Sequence, residues 1–163
     1  MSSPTHTPPP GASAVLVLAD GSVFWGRGVG ARGEVVGEIM TDPSYAGQMI
    51  TFTFPHIGNV GTNDEDIENA TPVALGCILR QDITEPSNYR AQKHFNDWLT
   101  EHGRIGIAGV DTRRLTKRIR NEGAPNGVIS HNPDGTFDIP ALIAAAARYR
   151  SFRQTPRPRT FWR

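Results

Sequence analysis

Two apolar runs flank an Asp-Gly pair near the start of the chain. Ala14–Leu18 precede Asp20-Gly21, and Ser22–Gly28 follow it. Asp-Gly suits the primed turns, whose backbone twist matches that of two paired strands. The segment therefore predicts an antiparallel β-hairpin in which the ordered part of the chain begins. Residues 1–13, with three consecutive prolines, predict a disordered leader before it.

Strand signals dominate the first half of the chain and helix signals the second. Further strands are predicted at 34–40, 48–54, 73–80, 105–110 and 126–130. Three helices are predicted: one capped by Ser87 or Asn88 and ended by Gly103, one over 111–120 with Asp111 as N-cap and Gly123 as its stop, and one over 138–147. This order predicts a mixed α+β layer structure.

The run Thr51–Asn63 changes from strand-like alternation into a loop of glycines and small polar residues. Pro55 withholds a backbone donor, and Gly58 and Gly61 permit a positive φ or a close backbone approach. Side-chain donors and acceptors come from His56, Asn59, Thr62 and Asn63. Two interpretations stay open, a loop that binds a partner and a tight turn that satisfies its own polar groups.

No complete catalytic, cofactor or metal motif is present in the sequence. Cys77 lies in an apolar strand pattern, which predicts a buried and inert thiol instead of a nucleophile. The glycines of 26–30 lie within a predicted strand with no helix after it, unlike a dinucleotide loop. The five histidines lack metal-ligand spacing, and the acidic run 63–68 lacks the central glycine of a calcium loop. We therefore predict no catalytic residue, no cofactor and no metal.

Positive charge is concentrated at the end of the chain. Residues 148–163 hold six arginines and no acidic residue, so the formal net charge of +1 divides into +6 for this tail and −5 for the rest. The tail fits a disordered end or a segment that binds nucleic acid. The basic run 113–120 fits a solvated helix face or one that binds phosphates or an acidic partner.

No apolar run is long enough to span a membrane, and a single cysteine agrees with a reducing compartment, so we expect a cytoplasmic protein.

Several motifs in order carry a family resemblance. They are Leu18-Ala19-Asp20-Gly21, the stretch 41–48, the run 54–63, Asp111-Thr112-Arg113-Arg114-Leu115-Thr116 and Asn126-Gly127. Together they resemble the N-terminal domain of the small, glutaminase subunit of carbamoyl-phosphate synthase, over residues 14–147. The resemblance implies a swivelling β/β/α domain, which in the family precedes an amidotransferase domain with a cysteine nucleophile. It also implies a partner, the large subunit, which makes carbamoyl phosphate from bicarbonate, ATP and ammonia for pyrimidine and arginine synthesis.

The chain departs from the family in two places. Family members carry a stretch reading Phe-Asn-Thr-x-Met-Thr-Gly-Tyr-Gln-Glu where Met40 here runs straight into Thr41. Losing this stretch from a sheet predicts unpaired neighbouring strands and a strained or partly unfolded domain. The residues 148–163 match nothing in the family, which suggests a shifted reading frame or a truncated gene.

The resemblance therefore predicts a truncated small subunit that is inactive alone as a glutaminase and serves in contact with the large subunit. The predicted contact residues are Pro55, His56, Gly58, Asn59, Gly61, Asn63, Asp111 and Arg113. Three alternatives remain: a contribution to synthesis with a separately supplied amidotransferase domain, a non-functional gene fragment, and a small module that binds nucleic acid through the arginine tail.

Overall fold

Seven strands pair edge to edge and close into a barrel in the computed structural model, which describes residues 6–41, 47–58, 73–85 and 93–150. The strands are β1 (Ala14–Leu18), β2 (Val23–Gly30), β3 (Gly33–Met40), β4 (Gln48–Thr51), β5 (Gly76–Ile78), β6 (Ile105–Ala108) and β7 (Asn126–His131). Their order around the barrel is β1, β2, β6, β5, β4, β3, β7. The helices are α1 (Phe95–Glu101), α2 (Thr112–Glu122) and α3 (Ile139–Arg148). The predicted mixture of strands and helices is confirmed.

The predicted hairpin is confirmed, but its turn is of another kind. β1 and β2 are antiparallel, with Val17 opposite Val23. The backbone N–H of Gly21 donates to the carbonyl of Leu18 over 2.9 Å, and Gly21 has a φ of 88°. A type I′ turn also needs a positive φ at the residue before the glycine, and Asp20 does not have one. The connection is therefore the longer type, in which a left-handed glycine follows an ordinary turn.

β1 is buried on both of its faces, which explains its unbroken apolar sequence. Leu16 and Leu18 join a cluster that fills the barrel together with Ile39, Met49, Ile78, Ile107 and Ile129 from other strands. Val15 and Val17 point the other way and pack under α3, against Ile139 and Leu142. A strand covered on both sides needs apolar residues at every position.

The helices occupy three different parts of the barrel surface. α3 packs on β1 and β7, and α1 packs on β2. α2 places Leu115 in the cluster that fills the barrel. Below α1 a third cluster joins Leu99 to Cys77, Leu79 and Ala108. The barrel is thus the shared support of every helix that the structure describes.

The strands around the predicted deletion are paired. β3 is parallel to β4 with Ile39 opposite Met49, and on its other side it is antiparallel to β7. β4 and β5, and β5 and β6, are parallel as well. The expectation that the deletion leaves neighbouring strands unpaired is wrong for the described strands, because closure of the barrel gives each of them two partners.

Several element boundaries differ from those predicted. α1 begins at Phe95 and is capped by the ring of His94, which accepts from the backbone N–H of Asn96 over 3.1 Å. Ser87 and Asn88, the predicted caps, lie outside the described residues. β4 and β5 are shorter than the predicted strands. None of the described helices is long and apolar enough to cross a bilayer.

Candidate functional site

The predicted contact loop is described as far as Gly58. Pro55 and His56 are exposed, and Gly58 is half-buried. The other predicted loop residues, Asn59, Gly61 and Asn63, lie outside the described residues.

Gly58 fulfils both of the roles expected of it. Its φ is 79°, in the left-handed region that favours glycine. A Cβ at this position would lie 2.7 Å from Cδ1 and 2.8 Å from Cβ of Phe95. The backbone of the loop therefore lies directly against the start of α1, and a side chain would displace it.

α2 forms where the sequence predicts it, for identifiable local reasons. The carboxylate of Asp111 accepts from the backbone N–H of Arg114 over 3.1 Å and caps the first turn. Leu115 is fully buried, and Ile119 packs beside it. Gly123, with a φ of 88°, ends the helix. Asp111 therefore has a structural role as a cap, whatever further contacts it makes.

Two arginines of α2 face the β1–β2 hairpin. The guanidinium of Arg118 donates to Ser22 Oγ over 2.7 Å and also bonds the carboxylate of Asp20. Burial by itself would raise the pKa of Asp20. Hydrogen bonds from Ser22 and Arg118 outweigh burial and hold this pKa below its ordinary value. Arg114 lies over the ring of Phe24, 5.7 Å from its centroid. Arg114 and Arg118 therefore make their contacts within the domain.

The other cations of α2 line an open cleft of about 690 Å³. Arg113, Lys117 and Arg120 recur at intervals of four and three residues, so they share one face of the helix. Arg80, which follows β5, reaches the same cleft. The other described residues of its lining are neutral: Thr53, Pro55, Thr112, Thr116 and Asn121. We call this the basic cleft.

Among the residues that the structure describes, none of those lining the basic cleft is acidic. Within the ranges that the structure describes, the ion pairs join Arg27 to Asp82, Lys93 to Glu101, and Arg118 to Asp20 and Glu122. None of them includes the four cations of the cleft. The hydroxyl of Thr116 in the lining is also buried without a hydrogen-bond partner among the described atoms. Uncompensated positive charge in a concave surface favours anionic groups as ligands.

Cys77 is buried, as predicted. The residue is 5% exposed, and burial raises the pKa of its thiol to about 12. A thiol with this pKa is protonated at neutral pH and is a poor nucleophile. The described residues contain no group of three or more His, Cys, Asp or Glu side chains positioned to hold a metal ion.

The structure brings together two of the predicted contact residues, Pro55 and Arg113, in the basic cleft. His56 and Gly58 lie outside its lining, and Asp111 caps the helix that forms one wall. Sequence reasoning identified the basic helix but missed Arg80, which follows a buried strand far away in the chain. The spacing of 113, 117 and 120 was the available signal for which cations share a face.

Comparison with known proteins gives a consistent family. Residues 16–129 match the family model described as the carbamoyl-phosphate synthase small chain, CPSase domain. The carbamoyl phosphate synthase small chain of Zymomonas mobilis is 58% identical over 143 residues, which cover 80% of this chain and 38% of the relative. Those of Agrobacterium fabrum and Bradyrhizobium diazoefficiens are each 56% identical, over 82% and 90% of this chain and 37% and 40% of the relative.

The chain thus spans about two fifths of the length of the curated relatives it matches. The alignment with the Zymomonas protein is 143 positions long and covers 80% of this 163-residue chain. That share of the chain contains fewer than 143 residues, so some aligned positions have no residue in this chain. The relative therefore carries residues within the matched stretch that this chain lacks, in agreement with the predicted internal deletion. Because the family model matches more than half of the residues, the chain belongs to the family of carbamoyl-phosphate synthase small chains.

Proposed function

We propose that this chain is the N-terminal domain of the small subunit of a glutamine-dependent carbamoyl-phosphate synthase, and that its role is contact with the large subunit. The family match over residues 16–129 carries the proposal. The relatives are named small chains, and a small chain of a synthase implies a larger partner. The synthase would supply carbamoyl phosphate for pyrimidine and arginine synthesis in the cytoplasm.

The surface around the basic cleft supports a role in contact. Pro55 and Arg113 lie on the lining, and the aromatic ring of Phe54 beside Pro55 is 72% exposed. Arginine and aromatic side chains are enriched at protein interfaces and carry much of the binding energy there. Pro55, His56, Gly58, Asp111 and Arg113 are the proposed contact residues among those described, and Asn59, Gly61 and Asn63 extend the proposal into the rest of the loop.

We further propose that the domain extends over residues 14–147 and has the swivelling β/β/α arrangement of the family. Its mixed strands and helices support this arrangement. The domain limits remain predictions. Of the predicted leader over 1–13, residues 1–5 lie outside the described residues, and so do residues 151–163 of the predicted tail over 148–163.

The 163-residue chain alone should not hydrolyse glutamine. Glutaminases of the proposed kind need a cysteine thiolate, and Cys77, the single cysteine, is buried with a pKa of about 12. An assay of ammonia release from glutamine tests this. A rate above that of the Cys77→Ala variant would show that Cys77 reacts after all.

Co-purification tests the proposed contact. A tagged 163-residue chain is expressed with the large subunit of a synthase whose small chain is one of the relatives above, and the tag is used for purification. We expect the large subunit to elute with the chain. If the folded chain, verified by circular dichroism, retains none of the large subunit, the contact role is wrong.

A further inference from the structure

We propose that the basic cleft is the docking site for an acidic segment of a partner protein, whose carboxylates pair with Arg113, Lys117, Arg120 and Arg80. The inference rests on the proposed function in one respect, since it takes that partner to be the large subunit. It gives the contact a defined place and a defined chemistry.

The three cations of α2 form a row instead of a single point. Arg113 and Arg120 are seven residues apart, and a helix rises 1.5 Å per residue, so the row is about 10 Å long. A row of this length can pair with several separate anionic groups at once. Alternate side chains of an extended peptide recur about every 7 Å on one side, so two or three acidic residues match the row.

The cations are available for a partner. Among the described residues none of the four has a carboxylate partner, although α2 makes ion pairs elsewhere through Arg118. Arg113, Lys117 and Arg120 are exposed, and so is Arg80. Two planar guanidinium forks on the helix, with a third from Arg80, suit bidentate pairing with carboxylates.

The charge of the whole chain favours a short acidic segment over a nucleic acid. Outside the arginine tail the chain has a net charge of −5, so the four cations of the cleft are a local exception. A long polyanion would meet the negative remainder of the domain, and its binding depends on many basic contacts. At physiological salt the field of the cleft acts over about 8 Å, which is enough to hold a few carboxylates.

Binding of hexaglutamate to the full 163-residue chain tests the chemistry directly. The probe is a fluorescently labelled peptide of six glutamates, followed by anisotropy at two salt concentrations. The cleft variant carries Arg113→Gln, Lys117→Gln and Arg120→Gln, which keep good helix formers on an exposed face. The matched control carries Arg32→Gln, Arg148→Gln and Arg150→Gln, which remove the same charge from exposed positions outside the cleft.

We expect wild type and control to bind the peptide alike, the cleft variant to bind it at least tenfold more weakly, and salt to weaken the binding. Arg80→Gln alone should cost about threefold, which distinguishes a cleft from an exposed helix face. No binding by wild type, or equal loss in the cleft and control variants, would overturn the proposal. Tighter, cleft-dependent binding of a hexathymidine oligonucleotide than of hexaglutamate would reassign the cleft to nucleic acid and overturn it as well.

Co-purification with the large subunit separates this inference from the proposed function. If wild type retains the large subunit and the cleft variant does not, both stand. If both retain it equally, the contact role stands and the docking site is wrong. If neither retains it while hexaglutamate still binds in the cleft, the identification of the partner fails with the proposed function, and the acidic-segment chemistry stands.

Discussion

Gly58 has no side chain, and this allows the predicted contact loop to pack closely against Phe95 at the start of α1. We expect Gly58→Ala to lower the free energy of unfolding by about 2–3 kcal/mol, because a φ of 79° strains alanine and the new Cβ would overlap Phe95. Urea denaturation followed by circular dichroism measures the change. The same substitution should weaken retention of the large subunit if the loop forms part of the contact.

Gly103 provides the matched control at the other end of α1. Its φ is 62°, and a Cβ there would meet no atom within 4 Å. Gly103→Ala should therefore cost only the strain of the left-handed backbone, about 1 kcal/mol. Equal losses at the two positions would show that the approach of Phe95 to Gly58 contributes nothing to stability.

The individual residues differ in how far their neighbourhood in the chain revealed their role. Cys77 is flanked by apolar residues on both sides, and its burial followed from that pattern alone. Arg80 follows the same strand, and nothing beside it indicates that it reaches a cleft formed with α2. The difference is physical: burial in a strand is a local property, whereas a shared cleft depends on how distant strands pair.

Asp111 caps α2, and two substitutions distinguish this role from contact with a partner. Asp111→Ala should cost about 1 kcal/mol of stability, because the backbone N–H of Arg114 loses its acceptor. Asp111→Asn should cost little, since asparagine is an equally good N-cap. Thermal unfolding monitored by far-ultraviolet circular dichroism compares the two.

The asparagine variant also decides whether the charge of Asp111 matters for contact. If it folds like wild type and retains the large subunit equally, Asp111 acts only as a cap. A stable asparagine variant that loses the large subunit would instead assign the carboxylate a direct contact.

Arg118 joins α2 to the turn between β1 and β2. Arg118→Ala should lower the free energy of unfolding by about 0.5–1 kcal/mol at pH 7, a modest value because Asp20 is partly exposed to solvent. Burial opposes a lower pKa for Asp20, but the backbone N–H of Ser22 and then the guanidinium of Arg118 hold this pKa below its ordinary value. The share of stability due to Arg118 is therefore present above that ordinary value and is lost as the pH falls through the lowered pKa. The difference between variant and wild type should therefore shrink below about pH 4.

Arg113→Ala on the same helix is the control for this measurement. Arg113 is exposed, and among the described residues it makes no ion pair, so its removal should leave stability within about 0.5 kcal/mol of wild type. If Arg113→Ala destabilises the domain as much as Arg118→Ala, the effect comes from the helix and not from the link to Asp20.

The elements show which signals a single sequence carries. The cap at Asp111 and the stop at Gly123 are local, and α2 was predicted nearly to its ends. The length of β5 is not local, because it depends on how far β4 and β6 run alongside it. The turn at Asp20-Gly21 was assigned to a type that its backbone does not adopt, since the same pair of residues suits two turn geometries.

Closure of the barrel could not be foreseen from the order of strands and helices. Only seven residues, 41–47, separate the parallel strands β3 and β4, whereas parallel strands are ordinarily joined by a dozen or more. A missing stretch at that point therefore suggested an interrupted sheet. Pairing of β3 with β7 on its other side depends on residues almost a hundred positions away, and no local pattern encodes that contact.

A closed barrel should unfold as one unit, and two tryptophans report on different parts of it. Trp25 belongs to the cluster under α3, where its ring lies 5.6 Å from that of Phe137, and Trp98 belongs to the cluster under α1. With Trp162 replaced by phenylalanine, the variants Trp25→Phe and Trp98→Phe each leave one tryptophan. Each variant should give the same urea midpoint by fluorescence and by circular dichroism, because both clusters are fixed to the same strands. In the Trp25→Phe variant, which keeps Trp98, the fluorescence transition could come at a lower urea concentration than the circular dichroism transition. This result would show that the α1 side unfolds separately, as expected of a domain weakened by an internal deletion.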